Sequence, residues 1–200
     1  MPRRLGAETS KTRVALLDAA ERLMLEEGYA AVTSRRLAAR AGLKPQLVHY
    51  YFRTMNDLFL ELYRRGAEQG LERQARALAS DQPLWALWDL SRDPRGTAFT
   101  MEFVALANHR REVRAEFAAS AERYRSEQVR GLAVVLERYG IEAGQLPPVV
   151  LSVLLTSVSQ VLVIEQESAG MTTGHAETVA FVEELLGRIE GPRGTTRAAT

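Results

Sequence analysis

Apolar residues recur every three or four positions along most of this 200-residue chain, and no segment shows the alternation of a β-strand. Glycine or proline marks many of the boundaries between these segments, as is typical of helix ends. The pattern predicts an all-α fold with helices over residues 10–27, 34–40, 45–52, 55–79, 84–91, 94–108, 111–139, 148–167 and 174–189.

The segment from Ala38 to Phe52 is predicted to form the end of one short helix, a tight turn at Gly42, and a second short helix that begins at Pro45. Glycine accepts the positive φ found just after a helix, and proline is tolerated at a first helical position. Val48 and Phe52 lie four residues apart and are expected to share a buried face. Side chains on the other faces suit base edges and phosphates, so this helix-turn-helix predicts a three-helix DNA-binding head.

Side-chain caps are predicted on either side of this motif. Thr33 can cap the helix that precedes the turn, because its hydroxyl can accept a backbone N–H. Thr54 and Asp57 have the spacing of a capping box. They would open a long fourth helix that joins the head to the rest of the chain.

Charge is distributed unevenly along the sequence. Residues 1–55 carry ten basic and five acidic residues, whereas the remaining 145 residues carry 16 basic and 20 acidic ones. A positive N-terminal segment on a slightly negative remainder indicates a head that binds a polyanion.

Composition excludes several classes of site. The sequence has no cysteine and three widely separated histidines, so we predict no disulfide, no metal site and no cofactor. No nucleophile–base motif occurs, and the adjacent acids Glu26 and Glu27 point to different helix faces, so an enzyme is not expected. The N-terminus lacks a signal peptide, and the most apolar segment, 149–164, is shorter than a membrane span. We therefore expect a cytoplasmic protein with no membrane partner.

Several short segments occur together in a recognisable order and spacing. They are Glu-Glu-Gly-Tyr at 26–29, Val-Thr at 32–33, Leu-Ala-Ala-Arg-Ala-Gly-Leu at 37–43, His-Tyr-Tyr-Phe at 49–52 and Asp-Leu at 57–58. With them, residues 14–60 resemble the TetR family of bacterial transcriptional regulators. The resemblance implies a head that reads a double-stranded DNA operator and an all-α C-terminal domain for ligand binding and dimerisation.

The resemblance also implies a domain organisation and shows two departures from the family pattern. The expected segments are a flexible basic arm (1–9), a helix-turn-helix DNA-binding domain (10–54), a helical effector-binding and dimerisation domain (55–189) and a flexible tail (190–200). Lys44 stands where a small hydroxyl residue usually caps the reading helix, and Met55 stands where a lysine usually opens the fourth helix.

Gln46 is the strongest candidate for a base contact, because its amide can form two hydrogen bonds with adenine, at N6 and N7. The alternative is that Gln46 is an ordinary exposed residue of the helix. Leu47 is expected to meet a thymine methyl or to be buried in the head. Arg35 is expected to reach a guanine or phosphate, or to stay solvated. The full predicted DNA-binding set is Thr33, Ser34, Arg35, Lys44, Gln46, Leu47, His49, Tyr50 and Tyr51.

The resemblance places dimerisation on the last two helices, which would pack with those of a second copy as a four-helix bundle. Burial of the first of these helices wholly within one chain is the alternative. Predicted interface residues are Leu151, Leu154, Leu155, Val158, Val161, Leu162, Phe181 and Leu185.

An effector pocket is expected among the middle helices, although aromatic residues at helical spacing are more often plain core. Candidate ligand-binding residues are Trp85, Trp88, Phe99, Met101, Phe103, Asn108, Phe117, Tyr124, Ser157 and Gln160. These residues indicate a largely apolar small molecule, and the expected function is a repressor that such a molecule releases from its operator. A constitutive or protein-gated regulator or activator of the same fold is the alternative.

Overall fold

The computed structural model of the chain describes residues 11–194, and most of this range is helical. The described residues form nine α-helices and no β-strand, which confirms the all-α prediction. The helices are α1 (Lys11–Glu27), α2 (Ser34–Arg40), α3 (Pro45–Tyr51), α4 (Met55–Leu78), α5 (Pro83–Ser91), α6 (Pro94–Ala107), α7 (Arg111–Arg138), α8 (Pro148–Ala169) and α9 (His175–Glu190). The predicted boundaries agree with these to within two residues at each end.

The predicted caps are present at the starts of α2 and α4. Thr33 Oγ1 accepts the N–H of Arg36 at 3.4 Å. Thr54 N–H donates to Asp57 Oδ2 at 3.0 Å, and Asp57 N–H donates to Thr54 Oγ1 at 3.1 Å, which completes the capping box. The turn between α2 and α3 contains Gly42 with φ of 67°, a conformation that favours glycine.

The chain divides into two compact units, each with its own apolar core. Within the described residues, unit 1 comprises 11–68 and 98–121, and unit 2 comprises 69–97 and 122–194. The predicted domain boundary at residue 54 lies before α4, whereas the first part of α4 belongs to the core of unit 1 through Leu58 and Leu62. Both leucines are fully buried there, so this part of α4 packs as a fourth helix of the head.

Unit 1 encloses a core to which each helix of the head contributes. Its fully buried residues include Leu16, Leu23, Met24, Leu37, Ala38, Leu58, Leu62, Phe103 and Val113. Val48 and Phe52 are also buried, as predicted from their spacing. Because these two residues hold α3 by one face, the opposite face of α3 is left at the surface.

Unit 2 is built around α5, α8, α9 and the later part of α7. Buried residues in its core include Leu84, Leu87, Trp88, Leu132, Leu136, Leu151, Leu155 and Leu186. The indole N–H of Trp88 donates to Glu183 Oε1 at 3.3 Å, so its polar atom is satisfied while its ring fills the core.

The helix α8 is longer than the sequence pattern indicated. Its 22 residues, with a mean hydropathy of 1.8 over the most apolar window, are enough to cross a membrane by length and composition alone. The prediction that this segment is too short to span is therefore wrong. Core helices of soluble proteins meet the same criterion, so the helix is weak evidence for a membrane.

The structure also differs from the prediction at the start of the expected C-terminal tail. Glu190 is the last residue of α9, and its carboxylate accepts the backbone N–H groups of Leu84 at 3.1 Å and Trp85 at 2.9 Å. The carbonyl of Gly191 accepts the indole N–H of Trp85 at 3.0 Å. The predicted arm over 1–9 and the last part of the predicted tail, 195–200, lie outside the described residues.

Candidate nucleic-acid interface

The α2–turn–α3 segment has the geometry of a helix-turn-helix. Leu37 and Ala38 of α2 and Val48 of α3 are buried against one another and against α1. The backbone N–H of Leu43 donates to the carbonyl of Ala38 at 2.8 Å and closes the turn after α2. This arrangement makes α3 the second helix of the motif, which is the position of the predicted reading helix.

The outward face of α3 carries polar and aromatic side chains. Gln46, His49 and Tyr50 are exposed, whereas Leu47 and Tyr51 are half-buried. The rings of Tyr50 and Tyr51 lie 5.0 Å apart at 87°, an edge-to-face pair that limits the freedom of both side chains. These residues therefore form one continuous surface next to Lys44, which begins α3 without a side-chain cap.

The remaining predicted DNA-binding residues lie at the start of α2. Thr33 and Arg35 are exposed and Ser34 is half-exposed. Thr33 Oγ1 already accepts the N–H of Arg36, so its hydroxyl proton is available to an outside acceptor.

Ion pairs within the head decide which of its charges are left for a partner. Arg36 pairs with Glu27, and Arg40 Nη1 lies 2.6 Å from Glu26 Oε2. Within residues 11–194, Arg35 and Lys44 make no ion pair or side-chain hydrogen bond. The acids of α1 thus compensate two of the three arginines on α2 and leave one positive side chain on each side of the turn.

Sequence reasoning missed two further arginines of unit 1. Arg53, directly after α3, is exposed and makes no ion pair in the described part of the chain. Its position two residues beyond Tyr51 was the signal that could have found it, because residues at the end of a reading helix lie near the phosphate backbone.

The second missed arginine, Arg13 of α1, holds the end of α3 in place. Its Nε donates to Glu61 Oε1 of α4 at 2.6 Å, and its Nη1 donates to the carbonyl of Tyr51 at 3.4 Å. The guanidinium also lies over the ring of Phe52, 5.0 Å from the ring centroid. These contacts from one side chain thus set the position of α3 relative to α1 and α4.

The predicted interface residues on α8 and α9 fall into two groups. Leu154, Val161, Phe181 and Leu185 are exposed, and Val158 and Leu162 are half-buried. Val158 and Leu162 pack partly against the core of unit 2, whereas Leu151 and Leu155 are buried within it, so the side chains of these last two pack within the chain. We therefore leave these two out of the proposed interface.

The predicted ligand-binding residues do not form one cluster. Phe99, Phe103 and Phe117 belong to the core of unit 1, where Phe99 and Phe103 have ring centroids 4.8 Å apart. Trp85 and Trp88 are buried in the core of unit 2. The others range from half-buried to exposed and are Met101, Asn108, Tyr124, Ser157 and Gln160.

Tyr63 of α4 packs within the aromatic core of unit 1. Its ring centroid lies 4.9 Å from that of Phe103, and its hydroxyl donates to the carbonyl of Phe117 at 3.5 Å. Burial raises the pKa of Tyr63 to about 12, so its phenol stays neutral at physiological pH.

A surface cleft of about 470 Å³ lies in unit 2 beside the loop between α7 and α8. Leu136, Ile141 and Pro148 contribute apolar atoms to its wall, and Glu137 and Glu142 contribute carboxylates. The predicted ligand-binding residues are absent from this wall.

The comparison with protein-family models gives one result for the head. Residues 16–62 match the family described as bacterial regulatory proteins, tetR family. The matched range contains α2, α3, the buried residues of α1 and the first part of α4 up to Leu62. A comparison of the sequence with curated proteins found no match.

Solved structures share the fold over most of the chain. A transcriptional regulator from Saccharomonospora viridis in complex with choline has a TM-score of 0.71 at 20% identity, with 86% of this chain and 95% of that chain covered. A regulator from Rhodococcus sp. RHA1 has a TM-score of 0.67 at 26% identity, with 90% and 96% covered. FadR from Bacillus subtilis in complex with stearoyl-CoA has a TM-score of 0.62 at 16% identity, with 90% and 99% covered.

The family match lies on the segment whose geometry is a helix-turn-helix, and the structural likeness extends over both units. Regulators of this family bind DNA and are not enzymes, which agrees with the expectation from the sequence. Residues 16–62 are therefore similar to bacterial regulatory proteins of the tetR family, and the chain shares its fold with solved transcriptional regulators.

Proposed function

We propose that the protein is a cytoplasmic, homodimeric repressor that binds operator DNA through α3 and is released by a largely apolar small molecule. The observation that carries the proposal is the outward face of α3, where Gln46 and Tyr50 are exposed beside Lys44. An exposed amide can distinguish base pairs, and an unpaired ammonium can bind phosphate.

The proposed contacts have separate roles. Gln46, Leu47 and Tyr50 would face base edges in the major groove. Thr33, Ser34, His49 and Tyr51 would position the head on the phosphate backbone together with Arg35 and Lys44. We add Arg53 to this backbone set because it is exposed and unpaired among the described residues.

Dimerisation is supported by the apolar residues that α8 and α9 leave at the surface. Exposed apolar patches of this kind mark protein–protein contacts. A single head makes too few contacts for tight specific binding, so two heads related by a two-fold axis would read two half-sites.

Release by a small molecule is supported by the structural neighbours, two of which hold choline or stearoyl-CoA. Within unit 1, ion pairs connect α4 to α1, and through them a movement of α4 would move the head. Arg65 of α4 lies 2.6 Å from Asp18 Oδ1 and 2.8 Å from Glu21 Oε2, both on α1. A ligand that shifts α4 would therefore also shift α1 and the rest of the head. The size of this effect depends on how much more tightly the ligand binds one position of α4 than the other.

Selection of DNA from a random library by the full chain tests the operator-reading part of this proposal. We expect enrichment of an inverted repeat, because a two-fold dimer reads the same half-site twice. Recovery of no common sequence would contradict operator reading, and a single unrepeated site would contradict the dimer.

A reporter gene with the selected site across its promoter then tests the direction of regulation. We expect expression to fall when the protein is present. A rise would favour the alternative, an activator of the same fold, and repression that no apolar compound relieves would favour a constitutive or protein-gated regulator.

A further inference from the structure

The corner between α6 and α7 carries a group of positive side chains within unit 1. We call it the basic corner and define it by Arg110, Arg111 and Arg114. Arg111 and Arg114 are exposed, and Arg110 is half-buried. Residues 110–114 contain these three arginines and one acid, Glu112, so the corner has a local excess of positive charge.

Contacts with α4 place the basic corner beside the end of the predicted reading helix. Asn56 Nδ2 of α4 donates to Glu112 Oε2 of α7. The guanidinium carbon of Arg110 lies 5.3 Å from the ring centroid of Phe59, a little further along α4. Both contacts are made by the start of α4, which follows shortly after the end of α3. Because the C-terminal end of a reading helix lies near DNA phosphates, the basic corner belongs to the part of the head that faces the phosphate backbone.

The backbone of the basic corner is held in a defined position. Val113 is fully buried in the core of unit 1 and anchors the first turn of α7. Arg114 Nε donates to the carbonyl of Ala107 at 3.1 Å, and its Nη2 donates to the carbonyl of Asn108 at 3.3 Å. These bonds satisfy carbonyls at the end of α6. Arg111 therefore extends from a fixed element although its own side chain is exposed.

The acids near the basic corner are engaged by other groups. Glu112 accepts the hydrogen bond from α4, and Asp57 closes the capping box of that helix. Glu116 Oε2 accepts from Arg64 Nε at 2.9 Å. Arg111 makes no ion pair or side-chain hydrogen bond within residues 11–194. Its guanidinium is therefore left for a partner outside the chain.

Two arginines from distant parts of the sequence thus lie near the same end of α4. Arg53 comes just before this helix, and Arg111 is next to the residue that bonds to its first turn. Both are exposed and make no ion pair in the described part of the chain. Positive groups that are spread over a surface fit a row of phosphates better than a single small anion. A guanidinium can also donate two parallel hydrogen bonds to one phosphate.

We infer that the basic corner is a phosphate-binding site outside the helix-turn-helix, in which Arg111 contacts the DNA backbone near the phosphates that Arg53 approaches. This inference rests on the proposed operator binding. It adds a contact from the α6–α7 corner, which lies beyond the family match at residues 16–62.

The salt dependence of operator binding by the full chain tests the inference. Arg111→Ala should lower the slope of log affinity against log salt by about 0.9 for each head, because one phosphate contact is lost. Arg111→Lys should keep most of the slope, because lysine retains the charge that the phosphate binds. A slope in Arg111→Ala equal to that of the original chain would overturn the inference.

The matched control is Arg22→Ala, which removes an exposed arginine of α1 in the same unit. The neighbouring Glu21 pairs with Arg65, well beyond the start of α4, so Arg22 lies away from the basic corner. This variant should leave the slope unchanged. An equal decrease in both variants would show a general effect of charge and would also overturn the inference.

Ethylation interference locates the contact on the DNA. Ethylation of one phosphate in each half-site should weaken binding of the original chain but not of Arg111→Ala. This phosphate should differ from the one whose effect is lost in Lys44→Ala, because Lys44 precedes α3 whereas the basic corner lies near its other end. The melting temperature of Arg111→Ala should equal that of the original chain. An unchanged interference pattern, or loss of the same phosphate in both variants, would contradict the proposed contact.

Binding to a duplex of random sequence separates this inference from the proposed function. A chain that selects no operator, but whose slope on the random duplex falls in Arg111→Ala, would contradict the proposed repressor and leave the basic corner supported. A chain that selects an operator with a slope that Arg111→Ala does not change would contradict the basic corner alone.

Discussion

The outward faces of α3 in unit 1 and of α8 and α9 in unit 2 differ in chemistry although both are exposed. On α3 the exposed residues are Gln46, His49 and Tyr50, which can form hydrogen bonds. On α8 and α9 they include Leu154 at 51% and Phe181 at 69% exposure, which cannot. A contiguous exposed apolar patch is a frequent mark of a protein–protein contact, which is why we propose a protein partner for the second face and not for the first.

The difference follows from which residues each helix contributes to the core of its own unit. At α3 the fully buried residues are Val48 and, directly after the helix, Phe52, which leaves Gln46, His49 and Tyr50 at the surface. On α8 the core needs Leu151 and Leu155, yet apolar residues continue around the helix to Val161. The exposed members of this set, Leu154 and Val161, belong to the interface that we propose for a second copy.

The largest expected effect comes from placing a charge on the apolar face. Phe181→Glu should convert the dimer to a monomer of 22.3 kDa, because an exposed carboxylate would be buried unpaired at the proposed interface. Operator affinity should fall about 100-fold or more, toward non-specific binding. Light scattering after gel filtration measures the mass, and fluorescence anisotropy measures the affinity.

The matched control is Val134→Glu on α7. Val134 is 67% exposed in the same unit but lies outside the proposed interface. This variant should remain dimeric and bind the operator normally. If both variants dimerise as the original chain does, the apolar face of α8 and α9 is not the interface.

Local features of the fold could be predicted from the sequence because they depend on residues a few positions apart. The caps at Thr33 and Thr54, the turn at Gly42 and the buried pair Val48 and Phe52 are all set within one helical turn. The same holds for the boundaries of the nine helices among the described residues.

Features that depend on packing between helices could not be predicted in this way. From the sequence alone, Arg36 and Arg40 are interpreted as outward-facing charges of α2. The structure shows that Glu27 and Glu26 of α1 pair with them. Likewise, helical spacing gives no sign that Phe103 packs in unit 1 and Trp88 in unit 2, or that Gln74 is buried. A periodic pattern shows that a residue faces inward but does not show which core receives it.

A smaller effect is expected from the polar face of α3, and it should be confined to one position of the operator. Gln46→Ala should leave the protein dimeric and reduce discrimination at a single base pair in each half-site by about 1–3 kcal/mol. Binding to all single-base variants of the selected operator measures this effect. An unchanged profile would remove Gln46 from the base contacts and leave it as an exposed helix residue.

The smallest effect is expected from Lys44, and it should be independent of sequence. Lys44→Ala removes one phosphate contact per half-site, so the slope of log affinity against log salt should fall by about 0.9 for each head. Discrimination between bases should not change, because phosphates are the same at every position. Arg130→Ala on α7, an exposed charge of unit 2, provides the control and should leave the slope unchanged. A normal slope in Lys44→Ala would mean that the charge stays in solvent, and the uncapped start of α3 would then have no role in binding the operator.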